Sequence, residues 1–233
     1  MTPFDDGRVG IMFTDLTSFT IPYASIPAWA TDIFLPAHAP QLDSAKYDDI
    51  RTKAALRGTK VQLWWDGTHT TDGIVLANVI HAKLAAISQH SGGIEVDLEA
   101  GSDQQLAALI SSFYQQFRRL RPTRALAINV VPLKGQFLPL VPMTADPNCH
   151  VRVQTYYGAE CRPADPAECE DDIVSRGFPR ERYSICYSAK PRRLKDDSIF
   201  CDLPVFTDHG AYTRRLRKGQ IFSANLMREA GLI

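Results

Sequence analysis

Short apolar runs along the chain alternate with longer segments that have a helical period. The short runs are rich in Val, Ile, Phe and Tyr, which favours strands. The predicted strands are Val9–Thr14, Asp32–Pro36, Lys60–Trp65, Gly93–Glu99, Ala125–Val131, His150–Tyr157, Arg182–Tyr187 and Ile199–Phe206. Most gaps between them leave room for one helix, a pattern typical of repeated βα units around a parallel sheet.

Capping residues predict where the intervening helices begin. Asp43 can cap a helix that runs through Arg57 and stops at Gly58, and Asp72 can cap the next one. Ser102 and Gln105 form a capping-box pair at the start of the third. Apolar residues three or four positions apart give the second and third helices a buried face: Leu76, Ile80, Leu84 and Ile87, then Leu106, Leu109, Phe113, Phe117 and Leu120.

The second half of the chain is less regular. Four prolines after the fifth strand argue against a long helix and predict a long loop on the rim: Pro132, Pro139, Pro142 and Pro147. A further helix is plausible over Pro166–Arg176, ending at Gly177, and Gln220–Leu226 can form either a strand or a closing helix.

This alternation predicts an α/β fold, a single (β/α)8 TIM-type barrel over residues 1–233. A doubly wound open sheet is the alternative. Since no Gly-x-Gly-x-x-Gly follows the first strand, a dinucleotide site is not expected, and no cofactor is predicted.

The composition of the chain argues against nucleic acid and membrane as binding partners. Lys+Arg and Asp+Glu both number 26, so the net charge of zero argues against nucleic-acid binding. No apolar run reaches the length of about 18 residues needed to cross a membrane, and the N-terminus lacks a signal-peptide pattern. A cytoplasmic or virion-associated location is therefore expected. Cys161 and Cys169 could pair in an oxidising medium, although free thiols are favoured for the five cysteines.

Three acids alternate with branched apolar residues in the fourth predicted strand. Glu95, Asp97 and Glu99 share one face, with neighbours about 7 Å apart. Charges this close should raise the pKa of at least one carboxyl group. Such a cluster is typical of a catalytic or cation-binding site.

Barrel enzymes place their sites at the C-terminal ends of strands, where Glu99 lies. Other polar and aromatic residues are also predicted at strand ends: Asp15, His38, Trp64, Trp65, Asp66, Asn129, Gln154, Tyr156 and Tyr187.

The acidic strand resembles the strand-four signature of family-18 glycoside hydrolases, the chitinases and endo-β-N-acetylglucosaminidases. That signature reads Asp-Gly-x-Asp-x-Asp-x-Glu. Gly93, Asp97 and Glu99 match it, whereas Gly92 and Glu95 replace two of its acids. The resemblance implies that Glu99 is the general acid and that Asp97 orients the substrate's N-acetyl group, which attacks the anomeric carbon.

A second family element is only partly present. The family has Met-x-Tyr-Asp at the end of strand six, where this chain has Gln154–Tyr157. The resemblance implies that Tyr156 donates a hydrogen bond to the N-acetyl carbonyl. The family's strand-eight Trp is not evident, and Phe222 is a candidate replacement. Trp64 and Trp65 are candidates to stack on sugar rings, or else one lies in the core and the other covers a strand end.

The resemblance implies a glycan containing N-acetylglucosamine, of chitin or peptidoglycan type, as substrate. The candidate substrate-binding residues are Glu95, Trp64, Trp65, Asp66, Asp15, Gln154, Asn129 and Tyr187. Glu95, the deepest of the three acids, is also the one most easily explained as structural.

Three alternatives remain open. Family-25 lysozymes carry a similar Asp-x-Glu but also a Trp-Gln run that is absent here. Glu95 and Asp97 also look like the cation-binding Glu-x-Asp of glycerophosphodiester phosphodiesterases, but the His motifs of that family are absent and no metal is predicted. The third alternative is a catalytically weak carbohydrate-binding or virion structural protein. Pro163–Cys169 and Gly177–Pro179 look similar to barrel domains in tail proteins of phages of actinobacteria, which would make other virion proteins its partners.

Overall fold

The computed structural model describes residues 9–13, 30–87, 92–100, 102–130, 140–154, 177–179, 182–186, 192–193, 199–200 and 220–223. Within them, eight strands form one parallel sheet in the order β10-β1-β2-β3-β4-β5-β6-β7. These strands are β1 (Val9–Met12), β2 (Asp32–Pro36), β3 (Lys60–Asp66), β4 (Ile94–Leu98), β5 (Leu126–Val130), β6 (Cys149–Gln154), β7 (Tyr183–Cys186) and β10 (Gln220–Ser223). The end strands β10 and β7 approach within 8 Å in Cα–Cα distance, so the sheet curves into the predicted (β/α)8 TIM-type barrel.

The strand that closes the barrel differs from the prediction. Ile199–Phe206 was expected as the eighth strand, and this is wrong: β9 (Ile199–Phe200) pairs antiparallel with β8 (Arg192–Arg193) in a separate two-stranded sheet. β10 lies beside β1 instead, with Ile11 opposite Phe222. Both segments are short and apolar, and local pattern cannot distinguish which of them meets β1, because that pairing joins opposite ends of the chain.

The predicted helix starts are confirmed. The helices are α1 (Ser44–Ala55), α2 (Gly73–Ala86), α3 (Asp103–Leu120) and α4 (Leu140–Ala145). Asp43 accepts a hydrogen bond from the Lys46 backbone N at 2.7 Å, and Asp72 accepts from the first turn of α2. The Ser102 hydroxyl accepts from the Gln105 backbone N at 3.3 Å. These side chains satisfy backbone donors that have no partner inside the helix.

The proline-rich segment contains one short helix and is not wholly a loop. Pro142 is the third residue of α4, where its missing N–H is tolerated because donors of the first turn have no intrahelical acceptor. No long helix occurs in the described residues of this segment, as predicted. The expected helix Pro166–Arg176 lies outside the described residues, as do Cys161 and Cys169, whereas Cys149 is a buried free thiol.

The main core lies between the sheet and the helices. Ile94, Val96 and Leu98 of β4 are fully buried there, as the alternation of the strand predicts. α2 packs closely on α3 at Gly73, where an added Cβ would lie 2.4 Å from the Phe113 backbone N. Among the described helices, none combines the length and apolarity that a membrane crossing requires.

Candidate functional site

The three acids of the fourth strand differ in depth. Glu95 is completely buried and lies in register with Trp64 on β3 and Ala127 on β5. Asp97, one pleat higher, is partly buried and lies between Asp66 and Asn129 in register. Glu99 follows the end of β4 and is also partly buried. The strand therefore places Glu99 nearest the C-terminal end of the barrel and Glu95 deepest, as predicted.

Glu99 has the perturbed carboxyl group that the sequence predicts. Burial raises its pKa most, the negative charge of Asp66 raises it further, and His69 opposes the shift. The sequence argument attributed the rise to Asp97, a neighbour on the same strand. In the structure the like charge that raises this pKa comes instead from Asp66, at the end of the adjacent strand β3. Glu99 therefore holds its proton to a higher pH than an ordinary Glu.

Asp66 is fixed by contacts at the end of β3. Its Oδ1 accepts hydrogen bonds from the backbone N of Thr68 at 3.0 Å and from the Thr68 hydroxyl at 2.7 Å. Its own backbone N donates to Nδ1 of His38 at 3.2 Å. Gly67 then donates from its backbone N to the Asp97 carbonyl at 2.9 Å. These bonds hold the turn after β3 against β4 and bring Asp66 close to Glu99.

The environment of His38 is mostly apolar. Its ring lies edge-on to Trp64 and Trp65, with centroid distances of 5.0 and 6.0 Å. Burial lowers the pKa of His38, the charge of Asp66 raises it, and Lys83 lowers it. A neutral imidazole whose Nδ1 accepts a backbone hydrogen bond fits this position.

Glu99 lines a cavity of about 740 Å³ at the C-terminal side of β3 and β4. The segment Thr68–Asp72 forms one wall, and Gln105, Leu109 and Ser112 of α3 form another. Hydroxyl, amide and imidazole groups make up about half of these walls, and such groups can bind the hydroxyls of a sugar. A volume of this size lies within the range of about 300–1,000 Å³ typical of small-molecule sites.

The two tryptophans occupy opposite sides of β3. Trp64 is nearly buried in the barrel interior, and its Nε1 donates to the Phe13 carbonyl at 2.9 Å. Trp65 packs against the main core outside the sheet and is half-buried. This arrangement agrees with the predicted alternative in which one of the two tryptophans, here Trp64, is a core residue. Through this hydrogen bond, Trp64 of β3 stabilises the backbone that follows β1.

Other predicted site residues are only partly described. Asn129 is 2 % exposed and lies beside Asp97, so β4 and β5 do bring these two together. Gln154 ends β6, opposite Cys186 in register, and Phe222 lies within β10. Asp15, Tyr156 and Tyr187 lie outside the described residues.

The sequence analysis missed two polar residues near Glu99. His69 contributes to the charge around Glu99, and Gln105 lines the same cavity. A signal for His69 was present in the polar run Asp66–Thr70, which directly follows a strand. Gln105 was identified only as part of a helix cap. Within the described residues, no cluster of three or more His, Cys, Asp or Glu could hold a metal ion.

Comparison with known proteins identifies a fold but no family. No protein-family model matches the chain, and no curated protein matches its sequence. Solved structures do match over nearly the whole chain. The catalytic domain of a hyperthermophilic chitinase from Pyrococcus furiosus is 14% identical, with a TM-score of 0.53 over 94% of this chain and 85% of that one.

Barrels with other activities match equally well. D-psicose 3-epimerase from Clostridium cellulolyticum is 7% identical, with a TM-score of 0.57 over 93% of this chain and 84% of that one. A xylanase and α-amylase inhibitor protein from Scadoxus multiflorus is 14% identical, with a TM-score of 0.52 over 97% and 96% of the two chains. At such identities the likeness establishes the TIM-barrel fold alone.

Proposed function

We propose that this chain is a glycoside hydrolase that cleaves an N-acetylglucosamine-containing glycan, of chitin or peptidoglycan type, at the C-terminal end of its barrel. The observation that carries the proposal is the position of Glu99 after the end of β4, partly buried in a cavity wall and close enough to Asp66 for its pKa to be raised. A carboxylic acid with a raised pKa favours the departure of a sugar leaving group, because it keeps its proton to a higher pH.

Glu99 is the acid in this mechanism. Its proton passes to the glycosidic oxygen as the bond from that oxygen to the anomeric carbon breaks, and the leaving sugar departs as a neutral alcohol. Asp66 assists because its negative charge disfavours ionisation of Glu99. Burial acts in the same direction. In the second half of the reaction, the Glu99 carboxylate takes a proton from the water that attacks the anomeric carbon, and the bond from that carbon to the substrate's N-acetyl oxygen breaks.

The nucleophile in this proposal is the substrate's own N-acetyl oxygen, so no protein carboxylate forms a covalent bond with the sugar. Asp97 lies in β4, two residues before Glu99 and in register with Asp66 and Asn129, and the family resemblance assigns it to orient the N-acetyl group. Tyr156 is assigned to the N-acetyl carbonyl by the family resemblance. Asn129, Asp66 and Gln154 are candidates to bind the sugar hydroxyls. His69 and Gln105, which line the cavity beside Glu99, are two more.

Turnover of a fluorogenic N-acetyl-chitobioside tests the proposal. Glu99→Gln keeps the shape of the side chain but cannot donate a carboxylic proton, and we expect kcat to fall by about 10²–10⁴-fold. Asp49→Asn is a matched control, since Asp49 is exposed on α1 and pairs with Lys53. Equal rates for the wild type and Glu99→Gln, with both folded, would remove Glu99 from the mechanism.

A second candidate is a glycan-binding protein without catalytic activity. The observation that favours it is that the acidic segment departs from the family signature at two positions. Gly92 lacks a side chain, and Glu95 is completely buried. Glycan binding without turnover, by the wild type and Glu99→Gln alike, would select this candidate. The likeness to phage tail domains, and with it a place in a virion, stays a prediction.

A further inference from the structure

A second cavity lies at the opposite, N-terminal end of the barrel. It has a volume of about 930 Å³ and opens between the starts of β3, β4 and β5 and the ends of α1 and α3. Lys60, Gly93 and Ala125 mark the three strand starts in its wall. It shares no lining residue with the cavity beside Glu99. Ligand binding here would therefore be independent of glycan chemistry at the other end.

The wall of this cavity is basic. Four cationic side chains line it, namely Arg51, Lys60, Arg121 and Arg124, and no carboxylate does so among the described residues. Arg51 forms an exposed ion pair with Asp48 at 2.5 Å. Arg121 donates from Nε to Nδ1 of His81 at 3.0 Å and from Nη2 to the His81 carbonyl at 3.3 Å. Neither of these two acceptors carries a negative charge, so the bonds orient Arg121 without neutralising it.

Arg124 adds a half-buried cation beside Arg121. Burial and the positive charge of Arg121 both lower the pKa of Arg124, while Tyr47 raises it. Folding thus holds two guanidinium groups close enough to repel each other in a partly desolvated wall. A bound anion would relieve that repulsion. Arginine suits this role because its planar donors match the oxygens of a phosphate group.

We propose that the basic cavity at the N-terminal end of the barrel binds a small phosphorylated organic molecule. Arg121, Arg124 and Lys60 contact its phosphate, and the hydroxyl and amide groups of Thr59, Thr123 and Asn148 complete the polar wall. The volume exceeds what one phosphate needs and lies within the range of about 300–1,000 Å³ for small-molecule sites. The remaining space, lined in part by Val61, Leu120 and Pro122, takes the organic portion.

Calorimetric titration of the full chain tests the proposal, with inorganic phosphate, glucose 6-phosphate and neutral glucose as separate probes. We expect saturable binding of glucose 6-phosphate that is tighter than that of phosphate, with none for glucose. Arg124→Gln should weaken glucose 6-phosphate binding about tenfold, the usual effect of losing one hydrogen bond to a charged group. Because Arg124 is half-buried, Lys60→Gln at an exposed position provides a second variant that tests the same wall.

Arg119→Gln is the matched control, because Arg119 is exposed on α3 close to Arg121 but does not line the cavity. Equal weakening by Arg119→Gln would indicate general charge attraction and overturn the proposal. So would binding that is unchanged in both Arg124→Gln and Lys60→Gln, or the absence of saturable binding for both phosphate probes. If phosphate bound at least as tightly as glucose 6-phosphate, the organic portion would have no place in the site and the proposal would fail. None of these results depends on glycan turnover.

Discussion

The described linings of two cavities differ in charge, although the chain is neutral overall: one includes Asp72 and Glu99, and the other includes four cationic side chains and no carboxylate. At the C-terminal end, Asp66 lies near Glu99 and raises its pKa. At the N-terminal end, Arg121 lies near Arg124 and lowers its pKa. In both places burial and a neighbouring like charge disfavour the ionised form of the side chain. The fold therefore shifts Glu99 toward its protonated form at one end and gathers cationic side chains at the other, which suits the two ends to different ligands.

A charged side chain that stabilises the fold has a different set of partners. Arg118, also near the N-terminal end, pairs with Asp146 at 2.5 Å, and both side chains are mostly buried. The same guanidinium donates to the carbonyl oxygens of Arg121, Arg124 and Asn148. Arg118 thus has a mostly buried anionic partner, whereas Arg121 of the basic cavity donates to two uncharged acceptors of His81.

The largest effect on stability is expected from breaking this structural pair. Arg118→Ala leaves the mostly buried Asp146 without its cationic partner and removes a donor from several carbonyl groups, and we expect a loss of about 3 kcal/mol in the free energy of unfolding. Arg119→Ala, exposed on the same helix, should change it by less than about 0.5 kcal/mol. Denaturant unfolding measures both. If Arg118→Ala lowered the free energy of unfolding only slightly, Arg118 would not be a structural cation, and the contrast with the cavity cations would fail.

A smaller loss is expected at the opposite end from Gly67→Ala. An added Cβ would lie 2.7 Å from the Asp97 carbonyl oxygen and 3.0 Å from Leu98 Cδ2. Overpacking of this kind costs about 1–3 kcal/mol, and it should also lower turnover because the turn that carries Asp66 shifts away from β4. The control is Gly58→Ala, whose φ of 72° is strained for Ala but whose Cβ meets nothing within 4 Å. That variant should lose stability and keep its turnover.

Two substitutions should move the pH profile of turnover in opposite directions. Asp66→Asn removes a charge that raises the pKa of Glu99, so the alkaline limb of kcat should shift to lower pH. His69→Gln removes a group that lowers the same pKa, so the limb should shift to higher pH. A profile that stays fixed in both variants would assign the limb to a group other than Glu99.

The smallest effect concerns the pH dependence of stability. Because folding raises the pKa of Glu99 above its ordinary value of 4.5, the folded chain binds more protons than the unfolded chain in the interval between the two values. Stability from this group is complete below that interval and is lost as the pH rises through the folded pKa. Glu99→Gln should therefore match the wild type under acidic conditions and be more stable at neutral pH. Urea unfolding at both pH values measures the difference, and an equal gain at both would contradict the sign.

Local features of the fold were predictable from the sequence because they depend on neighbouring residues. Asp43, Asp72 and Ser102 each cap the helix that they were expected to cap. Seven of the barrel strands were located, since β-branched runs between helical segments are visible in a single sequence. The eighth was wrong, because its identity depends on which distant segment reaches β1. Glu99 was predictable as a perturbed acid, but its environment was not.

By itself, the sequence determined the alternation within β4, which separates Glu95, Asp97 and Glu99 from the apolar face of the strand. Only the tertiary structure decided that Asp66 of β3 lies near Glu99 and that Lys60 of β3 shares a cavity with Arg121 and Arg124. The physical reason is that pleating acts between adjacent residues, whereas charges interact through space at strengths set by distance and burial. Parallel pairing of β3, β4 and β5 creates both proximities, because it aligns the strand ends at one edge of the sheet and the strand starts at the other.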